Sequence, residues 1–141
     1  MIVVSSCLLG LCCRYDGKEK ADKPVLDYLK DKDFIAICPE QMGGLNTPRE
    51  AAEIVSENPL LIMTETGRDV TKEFVHGRDE VMKLLEFYTV EEVILKSKSP
   101  TCGRYQRYDG SFTRKLIDKP GIMAKKLMEN NIKVINETDL A

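Results

Sequence analysis

Three of the five cysteines stand just past short apolar runs. Cys7 follows Met1-Ile2-Val3-Val4, Cys38 follows Phe34-Ile35-Ala36-Ile37, and Cys102 follows Val93-Ile94-Leu95-Lys96 after a brief loop. In a parallel α/β sheet the loops beyond the carboxyl ends of the strands emerge on one side, where ligands bind. Thiols far apart in sequence can therefore meet at one point. Three thiolates with no matching fourth ligand would hold a metal centre with one open position, which points to reactivity as well as structure. Placement alone leaves zinc and an iron–sulfur centre both open. A single buried cysteine is usually just a small hydrophobe, but the same placement three times argues against three inert thiols.

The neighbours of these thiols carry further chemistry. Glu40 lies two residues beyond Cys38, close enough to reach a substrate bound to a metal there and to exchange a proton with it; a glutamate is otherwise an ordinary surface residue. Ser99 and Thr101 flank Pro100 beside Cys102, where their hydroxyls would hydrogen-bond sulfide or orient substrate, or simply form the turn. Around Cys102 the cations Lys96, Lys98, Arg104, Arg107, Arg114 and Lys115 face Asp109 alone, a balance that favours thiolates and anions or else marks a solvated loop. Cys12 and Cys13 are adjacent, a poor geometry for two ligands on one ion, and no Cys-x-x-Cys occurs. His76, the one histidine, falls off the apolar face of its helix and reads as exposed.

The elements that must position these residues alternate. Ile2–Ser5 reads as a first buried strand, and 7–17 as a loop with at most one helical turn, closed by Asp16-Gly17. Asp22 caps a helix with Pro24 in its first turn, ending near Lys32. Phe34–Ile37 is the second strand, stopped by Pro39, and 41–49 reads as a long loop. The runs 52–55 and 60–64 flank Ser-Glu-Asn-Pro as a small hairpin. Asp69 or Thr71 caps the longest helix, with Val70, Phe74, Val81, Leu84, Leu85 and Tyr88 at helical spacing. Val93–Lys96 is a strand, 97–112 a polar loop long enough to be functional, 121–130 a helix and Ile132–Ile135 the last strand. This alternation predicts a three-layer α/β/α fold with a mostly parallel sheet, flavodoxin-like or Rossmann-like, carrying a small hairpin insertion.

With 141 residues the chain fits one domain, 1–141, with a real core. A net charge of −2 argues against nucleic acid as a partner. The opening residues lack a basic leader, and no run approaches the roughly 18 apolar residues of a membrane span. The expected address is the cytoplasm, where an odd cysteine count argues against a disulfide framework.

Several blocks then carry a resemblance: Ser6-Cys7-Leu8-Leu9-Gly10, Cys13-Arg14-Tyr15-Asp16-Gly17, Cys38-Pro39-Glu40-Gln41-Met42-Gly43-Gly44-Leu45, Thr47-Pro48-Arg49, Ala52-Glu53-Ile54, Asp69-Val70-Thr71, Ser99-Pro100-Thr101-Cys102-Gly103 and Tyr108-Asp109-Gly110-Ser111-Phe112. In this order they resemble a bacterial and archaeal family long known as a domain of unknown function and linked to thiouracil desulfidases. The resemblance implies a 4Fe–4S cluster on three cysteines, matching Cys7, Cys38 and Cys102, with the fourth iron free to take sulfur. It implies an acidic catalytic residue at Glu40 and a catalytic hydroxyl at Ser99 or Thr101. It gives Cys13 a supporting or redox role and leaves Cys12 incidental.

The expected activity is cluster-dependent desulfuration of a thiocarbonyl compound such as 2-thiouracil or another thioamide, releasing hydrosulfide without net redox. Arg14, Arg49 and Lys96, by charge and loop position, are expected to orient polar substrate edges. The rival reading is a sulfide or metal carrier serving a thiolation partner, which needs the cysteines but not Glu40. A nucleotide-binding module is the weakest reading, since no Gly-x-Gly-x-x-Gly follows the first strand.

Overall fold

The computed structural model describes residues 1–18 and 20–141. Four short strands build the central sheet: β1 (Ile2–Ser5), β2 (Phe34–Ile37), β5 (Glu92–Leu95) and β8 (Val134–Asn136). Their order is β2-β1-β5-β8, and every pairing is parallel. Successive side chains of a strand point to opposite faces, so β1 feeds two cores. Ile2 and Val4, with Ile94, meet Leu8, Val25 and Leu29 on one face. Val3, with Val93, Leu95 and Val134, meets Val81, Leu85, Met123 and Leu127 on the other. Central strands buried on both sides read as continuous apolar runs, which is why Ile2-Val3-Val4 and Val93-Ile94-Leu95 were legible.

Helix α1 (Lys23–Leu29) covers the first face. The Asp22 carboxylate accepts the Val25 N–H, as the capping reading expects. The helix stops at Leu29, short of Lys32, because Asp31 turns into the left-handed region at φ 67. Helices α3 (Thr71–Leu85) and α4 (Ile122–Glu129) cover the second face. The result is the three-layer α/β/α fold with a parallel sheet, in the strand order of the flavodoxin-like arrangement. Between β2 and α3, the antiparallel hairpin β3 (Ala52–Glu57) and β4 (Leu60–Thr64) packs Ile54 and Ile62 on Val70, Phe74 and Ile122.

Five local readings are corrected. Val70, not Asp69 or Thr71, holds the cap position of α3 and makes no side-chain cap bond; Asp69 instead accepts the Thr71 N–H. Residues 39–42 form a one-turn helix, α2 (Pro39–Met42), begun by the preset φ of Pro39. The segment 97–112 is not all loop: β6 (Arg107–Tyr108) pairs with β7 (Leu116–Ile117), a hairpin too short to leave a periodic pattern. The last strand begins at Val134, two residues later than read. Tyr88 lies beyond the helix and is exposed, so it does not extend the apolar face of α3.

Two close approaches seat the segments that matter most. Gly77 lies mid-helix in α3, where glycine costs roughly 1 kcal/mol against alanine. A Cβ there would collide with the Pro39 carbonyl, and one on Gly43 with the Glu73 carbonyl. Helices α2 and α3 thus touch backbone to backbone. Gly121 likewise lets α4 close on the turn before Cys102, where a Cβ would strike the Thr101 carbonyl group.

Candidate active site

The sheet changes winding direction between β1 and β5, since the chain leaves β1 toward β2 and leaves β5 toward β8. Ligands in open α/β sheets bind beyond the strand ends at such a switch point. Ser5 marks it. Its hydroxyl accepts the Lys96 N–H at 3.1 Å, joining the ends of the two strands, and donates to the Cys102 sulfur at 3.9 Å. Ser5 escaped the sequence reading because a strand-terminal serine has no distinguishing pattern.

Each candidate thiol is delivered by a different device. Cys7 rides a 3-10 turn, Ser6–Leu9, closed by Gly10 at φ 89. Cys38 occupies the cap position of α2, and the Gln41 amide faces its sulfur. Cys102 sits in a turn locked to the start of α4. The carbonyls of Pro100 and Thr101 accept the N–H groups of Ile122, Met123 and Ala124, and that of Gly103 accepts the Gly121 N–H. The open N–H groups of a helix start need partners, and here the turn carrying Cys102 supplies them. From behind, Asn136 holds the same turn: its amide donates to the carbonyls of Leu95 (2.8 Å) and Cys102 (3.1 Å) and accepts the Arg104 N–H (2.9 Å).

All five thiols are free. Cys12 is exposed. Cys13 is buried and its thiol lies beside those of both Cys38 and Cys7. The Cys38 sulfur also donates to the Cys13 carbonyl at 3.8 Å. Four thiols, not three, therefore gather here; adjacency to Cys12 had hidden the fourth, because adjacent side chains diverge. Cys102 lies within electrostatic reach of Cys38 and Glu40.

These surroundings favour the neutral thiols. The hydrogen bond with Cys13, then burial, push Cys38 up strongly. Burial, then the Glu40 charge, do the same to Cys102. The bond with Cys38 pulls the Cys13 thiol down, but the bond with Cys7 and burial outweigh it, leaving it raised to about 11. Such thiols would bind a metal centre with release of protons. Among the described residues, no three His, Cys, Asp or Glu side chains stand close enough to share one metal ion. A set of soft sulfur donors too spread to share one ion fits an iron–sulfur cluster better than a lone zinc ion.

Glu40 is a quarter exposed and forms an ion pair with Arg49 at 2.8 Å. Ser99 and Thr101 differ. The Ser99 hydroxyl accepts the N–H groups of Thr101 and Cys102, both at 3.0 Å, and lies close to the Cys102 sulfur. The Thr101 hydroxyl is buried with no hydrogen-bond partner. Ser99 thus forms the turn and touches the thiol, while Thr101 holds an unused polar atom.

The three cations expected to orient substrate are instead engaged internally. Arg14 pairs with Asp16 at 3.4 Å, Arg49 with Glu40, and Lys96 with Glu137 at 2.7 Å. Arg107 pairs with Glu57 as well. The positive stretch around Cys102 is thus partly neutralised by acids distant in sequence. His76 is exposed and 3.9 Å from Glu80. Among the described residues, no helix is long and apolar enough to cross a membrane.

Known proteins resemble this chain along nearly its whole length. The Bacillus subtilis protein YbbK, described as uncharacterized, is 36% identical over 147 residues, spanning 99% of this chain and 97% of its own length. A solved structure of the [4Fe-4S]-dependent thiouracil desulfidase TudS (DUF523Vcz) superposes with a TM-score of 0.89 at 38% identity, covering 99% of this chain and 91% of that one. The family model described as 2-thiouracil desulfurase matches residues 2–139, and the chain belongs to that family.

Proposed function

We propose that this chain, as one unit over 1–141, is a 4Fe–4S-dependent desulfidase acting on a thiocarbonyl substrate such as 2-thiouracil. The observation that carries the reading is a run of neighbours beyond the ends of β1, β2 and β5: Cys7 beside Cys13, Cys13 beside Cys38, and Cys102 within electrostatic reach of Cys38 and Glu40. The similarity to TudS supports the cofactor and the substrate class. Cys7, Cys38 and Cys102 would hold the cluster. When bound, the cluster would supply a soft Lewis acid for the substrate's sulfur.

The protein's own residues would handle the proton. Glu40 would accept one from the attacking water and return it to the departing sulfur. The C=S bond is exchanged for C=O: water supplies the oxygen, one of its protons leaves with sulfur as hydrosulfide, the other passes to solvent, and no electron is gained or lost. Ser99, whose oxygen already accepts two backbone N–H groups, keeps its proton for donation to sulfur. The partnerless Thr101 hydroxyl is the second candidate for that contact. The reducing cytoplasm, where five free thiols persist, suits such a protein.

The test is anaerobic reconstitution, with iron and acid-labile sulfide measured per chain alongside 2-thiouracil consumption and hydrosulfide release. Cluster formation with turnover is expected. Tight zinc without iron, or a loaded cluster that consumes no thioamide, would overturn the reading.

A further inference from the structure

We infer that Arg49 is a positioning residue for Glu40: its guanidinium aims the carboxylate at the thiol site and makes no contact with substrate. The inference rests on the desulfidase reading of Glu40.

Arginine carries five N–H donors in a rigid fork. Four of them sit on the two terminal nitrogens, and here four acceptors meet them. Nη2 donates to Glu40 Oε2 at 2.8 Å and to the Cys13 carbonyl at 3.0 Å. Nη1 donates to the Asn46 carbonyl at 3.1 Å and to Thr47 Oγ1 at 3.0 Å. No terminal donor remains for a ligand. The side chain is only 8% exposed, so the fork is held in place. Thr47 is fixed in turn by Gln41, whose amide donates to the same hydroxyl at 2.8 Å, and the Arg49 N–H donates to the Tyr15 carbonyl. One guanidinium therefore ties together the loop of Cys13, helix α2 and the segment 46–49.

The consequence falls on Glu40. Its backbone is immobilised by the glycine contact of α2 with α3. Its Oε2 is anchored on Arg49, while Oε1 has no hydrogen bond among the described residues. A carboxylate anchored through one oxygen presents the other in a defined direction, and that oxygen is the one available to water. The fifth donor, Nε, is buried without a partner, and Arg49 also borders a cavity of about 240 Å³ with Leu45, Pro48, Arg68, Val70 and Phe74. None of the thiols lines that cavity. Nε is the one route by which Arg49 would touch substrate directly, so substrate affinity is the discriminating quantity.

The experiment compares anaerobically reconstituted wild type, Arg49→Met, Arg49→Lys, Glu40→Gln and the doubles of Glu40→Gln with each Arg49 variant, using 2-thiouracil. For Arg49→Met, a kcat loss of roughly 10²-fold is expected, the cost of a displaced catalytic group, with KM and iron content unchanged. Arg49→Lys keeps the charge but not the fork, and should recover part of the rate; if Arg49→Met does not fold, the lysine variant carries the test by its kcat loss at constant KM. On a Glu40→Gln background neither Arg49 change should cost anything more. A crystal structure of cluster-free Arg49→Met should show the Glu40 carboxylate turned away. A rise in KM with kcat intact, loss of iron, a carboxylate that stays in place, or multiplying losses in the double variants would each overturn the inference. A Glu40→Gln enzyme at full rate would instead remove the desulfidase role of Glu40, and the inference with it.

Discussion

Two arginine–glutamate pairs in this molecule look alike at first. Arg49 and Arg107 are 8% and 6% exposed, and each donates to a glutamate and to a backbone carbonyl. Each leaves its Nε buried without a partner. The glutamates differ. Glu57, at the end of β3, has both oxygens occupied by cations, Oε1 by Arg107 and Oε2 by Lys119 at 3.2 Å. Glu40 has one oxygen on Arg49 and the other unbonded among the described residues, within electrostatic reach of Cys38 and Cys102. The same pair is a staple between hairpins in one place and an aimed carboxylate in the other. What separates them is the surroundings of the second oxygen.

The largest effect expected is on the thiol side. Cys38→Ala should abolish cluster assembly and turnover, read as iron and sulfide per chain, whereas Cys13→Ala should retain iron if three thiols suffice. Equal loss in both would make Cys13 a ligand and redraw the site. Next comes the direct comparison of carboxylates. Glu40→Gln should lower kcat by about 10²- to 10⁴-fold with the cluster intact, and Glu57→Gln should leave kcat unchanged. Sulfide transfer to a partner that survives Glu40→Gln in full would favour a carrier.

A packing change should then separate the pairs through the fold. Gly77→Ala forces α2 off α3, an overpacking cost of roughly 1–3 kcal/mol, only partly offset by better helix propensity. Because α2 carries Cys38 and Glu40, iron content and turnover should fall along with the unfolding temperature. Arg107→Met should cost stability alone, about 2 kcal/mol for lost charged hydrogen bonds. That corresponds to a drop of roughly 5 °C in the cluster-free protein, with turnover of the loaded enzyme preserved.

The smallest effect is in the pH dependence of unfolding. Arg107, then Lys119, hold the Glu57 carboxyl below its ordinary value of 4.5. A depressed folded value contributes stability that is present above the ordinary value and lost as pH falls through the folded one. The pair should therefore weaken in acid, and Arg107→Met should flatten the decline of unfolding temperature below about pH 4.5. Glu57 is 43% exposed, so solvent screening keeps the change modest. An unchanged acid profile would show that the outer pair is not the staple its geometry describes.

How much of this was legible in the sequence follows from the range of each interaction. The continuous apolar runs of β1 and β5, the Asp22 cap and the helical spacing of Phe74, Val81 and Leu85 are local patterns, and they read correctly. The placement of Cys7, Cys38 and Cys102 beyond strand ends was legible too, because parallel strands send their ends to one side. Ser5 and Asn136 were not, and Cys13 stood out only through the family resemblance, not through spacing. Each acts through partners across at least 25 positions of chain, on Cys38, Cys102 and the carbonyls around it. No spacing rule connects such residues.

The cations make the same division sharper. From the sequence alone, Arg49 and Lys96 are free charges beside the reactive loops. The acids that engage them, Glu40 and Glu137, become neighbours only when α2 settles on α3 and β8 joins β5. The sequence by itself determined the alternating α/β architecture, the thiols and the carboxylate of the proposed chemistry, since strand periodicity, turn residues and residue type are properties of short segments. Only the tertiary structure decided which charges are spent internally, which oxygen of Glu40 is left open and that a fourth thiol joins the other three. Those are distances between atoms on different elements, and a chain acquires them only by packing.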